Sequence, residues 1–82
     1  MTSTITVVRE TDGDKEQYYV VMQNGWRRIT PKGKKLPFED QVKKGATLVV
    51  VNLETEAAVR IMYDRSYKKF VPTPIDFDKV EI

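Results

Sequence analysis

The chain contains neither cysteine nor histidine. Their absence removes disulfides, thiol nucleophiles, Cys/His zinc sites and the commonest general base together. The hydroxyl nucleophiles that remain, Ser3, Ser66 and several threonines, have no imidazole to activate them. No apolar run approaches the roughly 18 residues of a membrane span. The opening Met-Thr-Ser-Thr-Ile-Thr also lacks the basic and apolar regions of a signal peptide. These absences lead us to expect a cytoplasmic protein that is not an enzyme, uses no cofactor or metal and does not engage a membrane.

What is present describes one small domain spanning 1–82. Apolar residues make up 40% of the chain and charged residues 32%, a globular balance without the one-sided charge of disorder. A chain of this size buries only about 60–65% of the surface its unfolded form exposes, which leaves few positions for a deep pocket. The net charge of +2 is unevenly spread. Residues 24–45 hold Arg27, Arg28, Lys32, Lys34, Lys35, Lys43 and Lys44 against Glu39 and Asp40, whereas the segments on either side are slightly acidic.

The strongest local signal is Asn24-Gly25, set between β-prone segments and followed at once by Trp26-Arg27-Arg28. Asn-Gly supplies the two positive φ angles of a type I′ turn at the lowest steric cost, so Tyr18–Thr30 reads as a hairpin closed by these two residues. That register opposes Met22 to Arg27 and Val20 to Ile29. It places Tyr18, Val20, Met22, Arg27 and Ile29 on one face and Tyr19, Val21, Trp26, Arg28 and Thr30 on the other. Both faces carry apolar residues, so the pattern leaves open which one meets the core.

Other elements follow the same logic. Ile5–Val8 reads as a strand ended by Thr11-Asp12-Gly13-Asp14. Pro31–Lys35 reads as a loop. A helix near 37–44 has Pro37 at its first position, Glu39 and Asp40 in its first turn, Lys43 and Lys44 in its last and Gly45 beyond it, with Phe38 and Val42 packing inward. Ala46–Val51 is the most apolar run and is the expected centre of the core. Ala57–Asp64 alternates as a strand antiparallel to it, with a helix over 54–67 as the rival reading. Lys68–Val71 suggests a further strand, which Pro72-Thr73-Pro74 is expected to end. The tail, 75–82, alternates apolar and mostly charged residues as an edge strand would. The expected fold is all-β or a β-rich α+β arrangement, a small antiparallel barrel or strongly bent sheet of SH3-like or OB-like kind with one short helix.

Gly45-Ala46-Thr47-Leu48-Val49-Val50-Val51-Asn52-Leu53-Glu54-Thr55, followed by Val59-Arg60-Ile61-Met62-Tyr63-Asp64-Arg65, resembles in outline a β-hairpin of the double-psi barrel in RlpA-like and expansin-like proteins. Ser66 stands where that family's pattern has glycine, and its upstream elements are missing. The resemblance implies a small barrel, and no activity is carried over from it.

Three clusters bear on function. Asp12, Asp14 and Glu16 around Gly13 begin like a calcium loop, but Tyr18, Tyr19 and Val20 occupy positions where ligands are needed, so the cluster reads as a solvated turn. Asp76, Asp78 and Glu81 read as an exposed tail. Tyr19, Trp26, Arg28, Lys32, Lys34 and Lys35 form the candidate partner-binding set: Tyr, Trp and Arg are the residues enriched at binding hot spots. The bland alternative is that these cations protect a sheet edge while Trp26 caps the core. The reading that follows is a binding module that engages a protein partner in an accessory or inhibitory role. Nucleic-acid binding through Arg27–Lys35 is the alternative, and homo-oligomeric assembly through the 75–82 tail is a third.

Overall fold

The computed structural model describes residues 3–33 and 35–80. Six strands form one sheet: β1 (Thr4–Asp12), β2 (Lys15–Met22), β3 (Gly25–Ile29), β4 (Thr47–Asn52), β5 (Ala57–Asp64) and β6 (Lys69–Ile75). The helix α1 (Glu39–Lys43) connects β3 to β4, and a 3-10 turn at Phe77–Lys79 follows β6. The strand order is β3-β2-β1-β4-β5-β6. Each half is thus a three-stranded antiparallel meander, and the two first strands lie side by side and parallel, Ile5 opposite Leu48 and Val7 opposite Val50. The β-rich class is the expected one. The sheet, however, is mixed rather than wholly antiparallel and remains open, with edges at β3 and β6, so it is not a barrel.

A parallel pair needs a crossover, and the segment from Thr30 through α1 supplies it across one face of the sheet. On that face Val7, Leu48 and Ile61 pack with Val42 of α1, and Tyr18, Val20, Ile29, Leu36, Phe38 and Phe70 surround them. Complete burial of a side chain such as Leu48 or Val42 contributes about 1.5–3 kcal/mol, so this layer supplies much of the stability. The run centred on β4 is indeed the middle of the core: Leu48 and Val51 are fully buried on opposite faces of the strand.

The helix is shorter than expected because it starts later. Phe38, in the left-handed region at φ 57°, precedes the first helical residue, and Pro37 is buried in the approach rather than at the first position. Phe38 and Val42 both face the core. At the other end Ala46 N–H donates to the Gln41 carbonyl at 3.0 Å and Gly45 N–H to that of Val42 at 3.1 Å, a Schellman closure that uses the positive φ of Gly45. Glu39 and Lys43 form an ion pair one turn apart.

Two further expectations fail for identifiable reasons. Pro72 and Pro74 do not end a strand; they lie inside β6, opposite Ile61 and Val59. An edge strand tolerates prolines whose missing N–H would point away from its neighbour. The tail does not extend as a strand either. Asp76 caps a 3-10 turn by accepting from Asp78 N–H at 3.1 Å, and Ile75, Phe77 and Val80 fold back onto Val49, Val51 and Ala58. Residues 81–82 lie outside the described residues.

The loops leading into β5 and β6 share one construction. Asn52 Oδ1 accepts from the N–H groups of Glu54 and Thr55, and Asp64 Oδ1 from those of Ser66 and Tyr67. Each loop ends on a residue with positive φ, Glu56 at 52° and Lys68 at 53°. The strand reading of 57–64 therefore holds against the helix, and it pairs antiparallel with β4 as expected. Ser66 fills a place in its loop without glycine's backbone freedom, and the barrel implied by the resemblance is not formed.

Candidate partner-binding face

The hairpin's loop consists of Gln23 and Asn24, with Met22 paired to Gly25, Val21 to Trp26, Val20 to Arg27, Tyr19 to Arg28 and Tyr18 to Ile29. Gly25 alone supplies a positive φ, 127°, so the turn lacks the two such residues of type I′. The pairing differs from the expected one by two residues overall, and an even shift leaves every side chain on its assigned face. Tyr18, Val20 and Ile29 face the core with α1 behind them. Tyr19, Val21, Trp26 and Arg28 consequently face outward on the other side.

On this outer face Tyr19 and Arg28 are direct cross-strand neighbours. The Tyr19 and Trp26 rings lie 6.3 Å apart at 42°, within the range of a favourable aromatic pair. Tyr19 is further fixed by its hydroxyl, which donates to Gln17 Oε1 at 2.9 Å. Trp26 is left 43% exposed. The same face carries Met62 and Val71, a cross-strand pair on β5 and β6, both well exposed. Pattern reading missed them because the assignment of faces in this half depended on β6, which the prolines hid.

The structure divides the predicted set. Tyr19, Trp26 and Arg28 come together, whereas Lys32 and Lys35 sit in the loop beyond β3 and line depressions of about 340 Å³ on the helix side. Thr30, Pro31 and Leu36 contribute to these walls, and so does Tyr18 of the core face. Lys34 lies outside the described residues. The two arginines point to opposite faces: Arg27 pairs with Val20 and Arg28 with Tyr19.

One polar cluster was not foreseen. Arg9 on β1 pairs with Glu16 on β2, and the Tyr18 hydroxyl donates to the other Glu16 carboxylate oxygen at 3.3 Å. Burial, with help from the Glu16 charge and this hydrogen bond, pushes the Tyr18 phenol above its usual 10.0, while Arg9 pulls the other way. The signal for it lay in the β1–β2 register, which opposes Arg9 to Tyr18. Among the described residues no group of three or more acidic side chains is placed to hold a metal ion, and no helix is long and apolar enough to cross a membrane.

Comparison with protein-family models, with curated proteins and with solved structures returns no match.

Proposed function

We propose that this chain is a non-enzymatic binding module that engages a protein partner through the outer face of the β2–β3 hairpin. The observation that carries the reading is Trp26, 43% exposed beside Tyr19 and Arg28 on a face that α1 does not cover. An aromatic pair on a hydrogen-bonded ribbon loses little conformational entropy on binding, and Trp, Tyr and Arg are the residues enriched among those that dominate binding energy. The module acts by occupying a partner's surface, as accessory and inhibitory proteins do. A chain without cysteine needs no oxidising compartment, and we place this role in the cytoplasm.

The test is capture of a saturable partner by the tagged wild-type protein and by Trp26→Ala. Retention by the wild type and loss by a folded Trp26→Ala supports the reading; equal retention by both overturns it. Titration with mixed oligonucleotides at two salt concentrations runs alongside. Steeply salt-dependent binding there would replace the protein partner with nucleic acid held by Arg27 and the loop lysines.

A further inference from the structure

The sheet has two edges, and they differ in what they offer to another strand. A two-residue hairpin closes on a pair that exchanges both backbone hydrogen bonds, and such pairs alternate with non-bonded ones along the ribbon. With Met22 and Gly25 as the closing pair, Gly25, Arg27 and Ile29 turn their backbone groups inward to β2. Trp26 and Arg28 therefore present N–H and C=O groups outward. On β6 the outward positions include Pro72 and Pro74, which have no N–H to give. The β6 edge is closed to strand addition and the β3 edge is open.

The side chains at the open edge define what can dock there. Two copies pairing antiparallel through β3, centred on Arg27, would set arginine opposite arginine, and cross-strand like charges destabilise a ladder. Arg27 and Arg28 are adjacent in β3, exposed and on opposite faces. An incoming strand meets both when it carries two adjacent carboxylates, one to each face. Lys32 and Lys35 continue the positive charge past the end of β3.

We infer that the β3 edge is a docking site for an extended acidic segment of a partner protein, added as a seventh strand with neighbouring carboxylates on Arg27 and Arg28. The charges that keep copies of this chain apart select the partner. This deepens the functional reading above, since it names the partner's form and charge, and it rests on that reading for the existence of a partner.

The probe is a short threonine–valine peptide with a central Asp-Glu pair, titrated into the isotope-labelled full-length protein while backbone amide shifts are followed. The expected result is saturable shifts largest at the amides of Trp26 and Arg28. The Lys-Lys counterpart, and a version N-methylated at every residue, should not bind. Arg28→Ala, which keeps the outward N–H, should weaken binding about two- to fivefold. Arg28→Pro, which gives β3 the kind of block that β6 already has, should abolish it. Absence of shifts at low salt, shifts centred on β6, equal binding of the N-methylated peptide, or unchanged binding by Arg28→Pro would each overturn the inference. The N-methylated arm uses the wild-type protein and so stands even if Arg28→Pro does not fold. Loss of partner capture in Trp26→Ala together with an inert acidic peptide would remove the edge site and leave the face reading intact.

Discussion

The two halves of the sheet have the same connectivity and differ in how much of their outer face is covered. On the β4–β6 half, Ile75, Phe77 and Val80 return across the strands and bury Val49, Val51 and Ala58. On the β1–β3 half, Trp26 remains on the surface with Tyr19 beside it. The difference shows that a meander does not by itself decide whether its second face becomes core. The residues that follow the last strand cover Val49, Val51 and Ala58, while Met62 and Val71 beyond that cover and Trp26 on the other half stay exposed.

The comparison can be broken first at what the halves share. Leu48→Ala empties the common layer between α1 and the sheet and should destabilise the protein by about 2–5 kcal/mol, enough to threaten folding of both halves, as read by denaturant unfolding. Phe77→Ala removes only the cover over one half. A loss of about 1–2 kcal/mol is expected, because this ring is partly buried, with increased protease cleavage near the C-terminal end. Trp26→Ala deletes a larger side chain from the uncovered half, yet should change stability by no more than about 0.5–1 kcal/mol. If Trp26→Ala proves as costly as Phe77→Ala, the outer β2–β3 face is a second core and the contrast between the halves fails.

The smallest expected effect lies in the pH dependence of Tyr18. Because the folded state raises its pKa above 10.0, folding holds this proton more tightly than the unfolded chain does. Its contribution to stability is fully present below about pH 10 and fades as pH rises through the folded value. Ultraviolet titration of wild type and Glu16→Gln checks this. The variant should ionise Tyr18 earlier while keeping the part of the rise that burial causes, and an unchanged titration would assign the whole effect to burial.

Much of this architecture is legible in local chemistry. The β-branched run of β4, the Phe38 and Val42 pair, the acidic first turn of α1 and Gly45 beyond its last all act within a few residues, and each does in the structure what its type suggests. The faces of the hairpin were readable for the same reason, although Asn24-Gly25 slid by one position in the turn, since side-chain period two forgives an even shift. What stayed hidden depends on partners distant in sequence. Pro72 and Pro74 fit β6 because it is an edge strand of the described sheet, and the tail up to Val80 abandons its strand-like alternation because Val49, Val51 and Ala58 offer it an apolar seat. The candidate site divides in the same way. Tyr19, Trp26 and Arg28 were placed by hairpin geometry, whereas the separation of Lys32 and Lys35 from them follows from where the loop lies over the sheet.

The parallel pairing of β1 with β4 carries a consequence for how the chain reaches this state. Every other strand pair joins neighbours in sequence through a loop of a few residues, so each meander can zip from its own turns. The β1–β4 seam joins residues roughly 40 positions apart and must await closure of the whole intervening segment. Refolding should therefore be timed by the meeting of two preformed ribbons. Substitutions along the seam, such as Val7→Ala, should slow folding more than substitutions within either turn.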